Sequence, residues 1–342
     1  MAFEDAAARL MANPVLIEVT RGPLVECKHR GTLAVATSRG ELLVVLGDVD
    51  RPVYPRSAIK VLQAMPLVET GAARAFGFND IHLALAAASH TGTERHVAIA
   101  REMLTRAGIG EFALACGVHP PLDDAAARAL WATGAKPGTL HHNCSGKHAS
   151  MLATARHMGE DLDDYWSPEH PVQQRIRAVI EDAAGAPLTP GLCGIDGCSV
   201  PNWAMPVKGL AVAMARLGTG AQLSTARAAA AQSIMQAAWA EPELSAGIGR
   251  LDTKVLSQFK GEAYIKTGAE GAYAGVFPKL GIGFALKIDD GASRASDAVA
   301  RLLVEAFLPA ARGQLALKIL KNAQGKDAGV IRPSALLALA LG

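Results

Sequence analysis

The strand-like segments of this chain lie at its two ends, and nearly everything between them is patterned for helix. Near the start, Val15-Leu16-Ile17-Glu18-Val19-Thr20 is short and β-branched, and Arg21-Gly22-Pro23 punctuates it. Val25-Glu26-Cys27-Lys28 alternates, Gly31 interrupts, and 32–37 resumes the pattern. Ser38-Arg39-Gly40-Glu41 then turns the chain into another strand over 42–46. Strands so closely spaced pair as antiparallel hairpins. The same texture returns at 262–266, 272–277 and 281–288, followed by a helix over 296–308. The simplest packing joins both groups in one antiparallel sheet, places the middle beside it as a helical lobe, and leaves a ligand cleft between.

In that middle, apolar residues fall at helical spacing over 57–67, just after Pro55 as a start signal. Residues 79–88, 123–133, 148–158, 171–184 and 224–240 read as further helices. Thr91 with Glu94 reads as a capping box for a helix running to 104. Gly-, Pro- and Cys-rich loops fill 140–147 and 191–206. The expected organisation is one domain over 1–342. Its sheet part spans about 15–50 and 260–342, and its helical lobe about 57–256.

Composition excludes several functions. A chain of 342 residues, 50% of them hydrophobic, can bury a large core. Its formal net charge of +2, with no dense Lys/Arg run, argues against a nucleic-acid or anionic-membrane partner. Met1-Ala2-Phe3-Glu4-Asp5 carries acids where an export signal needs bases. No run of about 18 uninterrupted apolar residues suggests a membrane span. A cytoplasmic location is expected. The five cysteines, Cys27, Cys116, Cys144, Cys193 and Cys198, are too few and odd for a disulfide framework, which leaves metal binding or simple burial.

Ser57-Ala58-Ile59-Lys60 places a hydroxyl and an amine on one face at a helix start. A serine needs an adjacent base to act as a nucleophile, and a lysine serves only when burial or a second cation strips its proton. The spacing alone is common; Ser257-Gln258-Phe259-Lys260 has it too. What distinguishes Ser57 is Lys266-Thr267-Gly268 at the end of a C-terminal strand, because Ser-x-x-Lys followed far downstream by Lys-Thr-Gly is the pattern of serine β-lactamases and penicillin-binding proteins. Lys266 then supplies the second cation. Ser257 lies too close to it, in the loop leading to that strand. Ser89-His90-Thr91, between two helices, offers either a second Ser–Lys pair or mere helix caps.

Two further clusters are dense in chemistry: Asn143-Cys144-Ser145-Gly146-Lys147-His148 and Cys193-Gly194-Ile195-Asp196-Gly197-Cys198. Two loops offering Cys, His and Asp can hold a zinc jointly, although the spacing is not that of a zinc finger, and buried inert cysteines are the plainer reading. Ser145-Gly146-Lys147 is not a phosphate loop, since the full Walker pattern is missing.

Taken as whole strings, these segments closely resemble the Rhizobium-type L-asparaginases, the asparaginase II family. The strings are Pro55-Arg56-Ser57-Ala58-Ile59-Lys60, Ala87-Ala88-Ser89-His90, His142 through His148, Gly194-Ile195-Asp196-Gly197-Cys198 and Lys266-Thr267-Gly268. The resemblance runs from about Leu16 to Leu339. It implies an α/β fold like that of the serine β-lactamases and penicillin-binding proteins. It also implies two dyads, Ser57 with Lys60 and Ser89 with Lys266, and a zinc held by Cys144, Lys147 and Cys198. Arg56, His148 and Asp196 would then lie at the substrate. Free asparagine is a zwitterion, and Arg56 suits its α-carboxylate while Asp196 suits its α-ammonium.

The expectation is therefore an L-asparagine amidohydrolase releasing L-aspartate and ammonia through an acyl-enzyme on Ser57. Zinc would tune the site rather than create the nucleophile, and a homodimer is the default assembly. A serine-dependent glutaminase differs by one substrate methylene, worth only about 1–3 kcal/mol. The same residues would also suit a β-lactamase-like acyl hydrolase, or a non-catalytic zinc- or amino-acid-binding protein on the same fold.

Overall fold

The computed structural model describes residues 12–315 and 317–342. The acidic N-terminal segment Met1–Asp5 lies outside the described residues.

One antiparallel sheet organises the chain. Its strands run in the order Ile319–Lys321, Asp327–Pro333, Val15–Arg21, Leu24–Thr37, Ile282–Ile288, Ala272–Phe277 and Tyr264–Thr267, and Leu42–Leu46 pairs separately with Leu24–Thr37. The two ends of the chain therefore share one sheet, as their common patterning predicts. Two departures stand out. Ile319–Lys321 and Asp327–Pro333 are strands although they carry no strong alternation to mark them as such. Gly31 does not interrupt but belongs to a single strand of 14 residues. One half of that strand pairs with Val15–Arg21, and the other with Ile282–Ile288. A Cβ at Gly31 would stand 2.5 Å from the Lys287 carbonyl oxygen, so only glycine permits the ladder to continue there.

Alternation along the strands splits the core in two. Leu33, Val35, Phe284 and Leu286 face Val299, Leu303 and Val304 of the helix Ser293–Phe307. Ala34, Ala36, Ala274 and Ala285 face the lobe, where Leu210, Ala211 and Met214 of the helix Val207–Thr219 join the same core. Small side chains on this face let that helix lie close to the sheet. The large ones opposite bury more area, at about 25 cal/mol per Å² removed from water.

The lobe matches the helical pattern with informative exceptions. The helices Asp124–Ala132, Pro171–Ala184 and Thr225–Ala240 fall where spacing puts them, with Asp123 and Ser224 as N-caps. The helix Glu94–Arg106 is capped by Thr93 and His96, not by Thr91 and Glu94. Thr91 is instead buried, its hydroxyl without a partner. The helix Ser145–Met158 starts three residues earlier than its apolar spacing indicates. Its first turn is buried, and a Cβ at Gly146 would press to 2.5 Å from the Leu85 carbonyl oxygen, so packing rather than propensity sets this start. The helices Val207–Thr219 and Leu251–Gln258 add to those that the sequence pattern marks. Ser257 is on the second of these, not in a loop, and its hydroxyl donates to the Thr253 carbonyl. Among the described residues no helix is long and apolar enough to cross a membrane.

Candidate active site

The reactive side chains gather where the edge strand Tyr264–Thr267 meets the helical lobe. Ser57 lies on the short 3-10 turn Arg56–Ile59, which leads directly into the helix Lys60–Glu69. A Cβ at Gly268 would meet the Pro55 carbonyl oxygen at 2.7 Å and the Ala58 amide nitrogen at 3.2 Å. The strand end that carries Lys266-Thr267-Gly268 is thus pressed against the turn that carries Ser57. Arg56 itself has a φ of +52°, a conformation that costs a non-glycine residue energy and persists only where its surroundings enforce it.

Two buried lysines reach this junction. Lys60 donates to the Ala88 carbonyl at 2.6 Å and to the Cys144 sulfur at 3.1 Å, rather than to the Ser57 hydroxyl expected from the i, i+3 spacing. Burial explains the difference: a fully enclosed amine must find its partners among the protein acceptors within reach. Lys266 donates to the Ser89 hydroxyl at 3.1 Å and to the Thr267 carbonyl at 3.1 Å. Burial lowers its pKa to about 7; Asp252 opposes the shift, and Lys60 and Arg250 favour it. A lysine in that range can exchange protons near neutrality.

Ser89 is held from several sides. Its backbone N–H donates to the Ser245 carbonyl, and the next residue, His90, donates its own N–H to the Asn143 carbonyl. The His90 ring accepts from the Gly92 N–H at Nδ1 and meets the Ser145 hydroxyl at Nε2, 2.9 Å away. Ser145 passes the hydrogen bond on to the Leu140 carbonyl. This chain fixes the tautomer, and burial keeps the ring neutral by holding its pKa well below the usual range. The Ser89 loop is thereby tied to the loop of Cys144.

The two cysteine clusters meet. Lys147, one turn after Cys144 on the same helix face, donates to the Cys198 sulfur at 2.9 Å. Cys198 neighbours Cys144. Cys198, with Lys60 and Lys147 nearby, outweighs burial and pulls the Cys144 thiol down, while Cys198, buried beside it, is pushed up. Burial draws the Lys147 pKa down, but the negative charge held by the Cys144 and Cys198 pair, together with Asp196, outweighs it and raises the net value. Cys193 stands apart on a short strand paired with Pro201–Trp203, and the Cys27 and Cys116 thiols are free. Among the described residues no group of three or more His, Cys, Asp or Glu is placed to hold a metal. Two sulfurs and one amine nevertheless converge, and that donor chemistry fits a soft divalent cation such as zinc.

Arg56 pairs with Asp196, both its Nε and its Nη2 lying 2.8 Å from the same carboxylate oxygen. His148 is buried one residue beyond Lys147, and its Nδ1 meets the Tyr165 hydroxyl at 2.6 Å. Tyr165 in turn accepts from the Ala115 N–H, so one hydroxyl joins that backbone to the histidine ring. The His148 Nε2 is buried without a protein partner.

The L-asparaginase II family model matches residues 17–333, almost the whole of the chain. The chain belongs to the L-asparaginase II family. The family is one of L-asparaginases. Similar solved structures include Mglu in its native form, with a TM-score of 0.47 and 17% identity over 81% of this chain and 64% of that one. A β-lactamase from Mycobacterium bovis has a TM-score of 0.41 and 14% identity over 86% of this chain and 94% of that one. This chain thus spans less than two thirds of the length of Mglu. No curated protein matches it.

In this asparaginase II chain, most of the reactive residues singled out from the sequence fall along one connected path. It runs from Lys266 through Ser89 and Ala88 to Lys60, then through Cys144 to Cys198 and Lys147. Arg56 and Asp196 lie beside it, next to Ser57 and Cys198 in sequence. Sequence reasoning missed Asp252, Tyr273 and Tyr165. Asp252 and Tyr273 carry no motif, and only the pairing of strands brings them to Lys266; Tyr165 is hidden in a stretch that reads as connection.

Proposed function

We propose that the chain hydrolyses the side-chain amide of free L-asparagine to L-aspartate and ammonia, with Ser57 as nucleophile and Lys60 as its base. The observation that carries this reading is the pairing of Arg56 with Asp196 beside Ser57. An adjacent cation and anion complement the α-carboxylate and α-ammonium of a free amino acid, whose amide then points at the hydroxyl. The Ser57 oxygen forms a bond to the amide carbon while its proton passes to the amine of Lys60. The C–N bond breaks as that proton is handed to the nitrogen, and ammonia leaves. Water then attacks the ester, gives a proton back through the lysine, and releases aspartate and the free serine. Substrate entry would draw Lys60 away from the Ala88 carbonyl.

A second assignment has its own support. The Lys266 amine already touches the Ser89 hydroxyl, so Ser89 is the nucleophile in a version with the roles exchanged.

Cys144, Cys198 and Lys147 would hold a zinc, which when bound would supply positive charge beside the pocket and rigidity to both cysteine loops. Lys147 must give up its proton to serve. Asp196, on the loop of Cys198, and His148, on the helix of Lys147, would be set in place against the substrate.

The test is ammonia release from asparagine, glutamine and a β-lactam in parallel. Asparagine is expected to turn over with the highest kcat/KM. Preference for glutamine would overturn the substrate, and binding of asparagine without ammonia release would overturn the catalysis.

A further inference from the structure

Asp252 is the most enclosed carboxylate near the reactive groups, 1% exposed at the second position of the helix Leu251–Gln258. A buried carboxylate is costly unless it is paired and hydrogen-bonded. Each of its oxygens is engaged: one accepts from the Tyr273 hydroxyl, and the other accepts from the Thr267 N–H at 3.0 Å and lies 3.8 Å from the Lys266 amine. Thr267 and Tyr273 face each other in register on neighbouring strands, so the carboxylate is clamped to the strand that carries Lys266. Lys266 donates in turn to the Ser89 hydroxyl.

We propose that Asp252 is a positioning residue for the Ser89–Lys266 pair, holding the amine against the hydroxyl as the third member of a hydroxyl–amine–carboxylate series. Such a series follows the general logic of a base oriented by a further group. A lysine amine on a long flexible stem gains most from a fixed anion, because it has no planar geometry of its own to orient it. Lys266 is faced by Arg250 and Asp252 at the start of one helix, by Lys60 from another, and by Cys144. Asp252 is the carboxylate among them. Asp252 itself is faced by Lys266, Tyr273, Tyr264 and Asp297, with Arg250 close to the same group. A purely structural role, tying helix to strand, would be largely kept by asparagine, whose oxygen can accept from the Thr267 N–H while its amide donates to the Tyr273 hydroxyl.

The inference rests on the amidohydrolase reading for its kinetic arm only. Full-length protein carrying ¹³Cε-lysine is titrated by NMR, with the Lys266 resonance assigned by its loss in Lys266→Arg, and kcat/KM is measured across the same pH range. In Asp252→Asn the negative charge is gone, so Lys266 releases its proton at a pH lower by about one unit, and the acid limb of kcat/KM moves with it. Turnover falls at least about tenfold while KM changes little, as for a group that acts through the base. Tyr273→Phe keeps the carboxylate but removes one of its donors, and Lys266 then holds its proton to higher pH; this variant carries the test if Asp252→Asn does not fold. A Lys266 titration unchanged in every folded variant overturns the proposal. The NMR arm reads Lys266 whether or not any amide is cleaved. A protein inactive on amides but showing these shifts therefore refutes the function and leaves this inference standing.

Discussion

Arg56 and Asp196 neutralise each other through one carboxylate oxygen that both nitrogens of the guanidinium fork approach at 2.8 Å. An arginine fork can engage two oxygens of a carboxylate. Here it uses one, which leaves the second Asp196 oxygen and part of the guanidinium for another partner. A zwitterionic substrate exchanges this internal pair for two external ones. Arg56→Ala and Asp196→Ala are each expected to raise KM for asparagine about 10- to 100-fold, the span of a charge-assisted hydrogen bond, with a smaller effect on kcat. Unchanged KM in both variants would mean that the pair only clasps two loops.

Ser57→Ala is expected to lose several orders of magnitude in kcat while keeping its fold, because the residue is half-buried on a turn and supports no core contact that alanine would remove. Ser89→Ala is measured beside it. Mass spectrometry of acid-quenched enzyme with asparagine identifies which serine carries the aspartyl group. An adduct on Ser89 reverses the roles proposed above.

Activity should rise with pH through neutrality. Burial brings Lys266 to about 7, and the amine accepts a proton only when it has none. Stability follows the same sign. A lysine whose pKa is lower in the folded state binds fewer protons folded than unfolded, so folding is favoured progressively as pH rises from about 7 towards the ordinary lysine value of about 10.4. The check is kcat/KM from pH 5 to 9 with chemical denaturation at pH 6 and pH 9. A flat rate profile over that range contradicts a lysine of this pKa in the rate-determining chemistry.

Zinc is expected in protein purified without chelators. Its removal, or Cys144→Ser, should raise KM more than it lowers kcat, because the loosened segments, the Cys198 loop and the first turn of the helix Ser145–Met158, carry the binding groups Asp196 and His148 while both Ser–Lys pairs survive. Elemental analysis followed by kinetics after chelation decides this. Total loss of turnover with the fold intact would assign the metal a part in the chemistry.

Tyr165→Phe should destabilise the protein by about 1–3 kcal/mol, since the hydroxyl bridges the Ala115 N–H and the His148 ring and its loss strands two buried groups. The His148 ring would lose its hydrogen-bond partner at Nδ1. Denaturant titration gives the energy, and ring ¹⁵N shifts give the tautomer.

How much of the molecule is legible in its sequence depends on distance along the chain. Ser57 and Lys60 are neighbours at a helix start, so spacing alone pairs them. It does not predict that Lys60 prefers the Ala88 carbonyl and Cys144, because burial and long-range packing choose the acceptor. The strands 272–277 and 282–288 are legible because their β-rich texture stands out between turn signals. The strands at 319–321 and 327–333 are not, since half-exposed edge residues lack that texture. Cys144, Lys147 and Cys198 stand out only as parts of whole matching strings. Local chemistry favours no cysteine in the second cluster over its neighbour. Asp252 is illegible for a plainer reason: nothing within ten residues of it explains a buried acid, and its partners Thr267 and Tyr273 come from strands still to follow.

The interleaving of the two chain ends in one sheet has a consequence for synthesis. Ile17 sits opposite Pro333 and Val19 opposite Ile331, while Lys266 rides on the far edge of the same sheet. A ribosome delivers the nucleophilic turn early and the second lysine late, and the first strand finds its outer partner only when the last strand has emerged. The emerging polypeptide therefore carries an exposed strand edge and an incomplete, inert set of reactive groups for most of translation. Contacts so remote in sequence form slowly and leave such edges open to mispairing. Expression yield should therefore depend on chaperones and growth temperature more than the stability of the finished molecule alone would suggest.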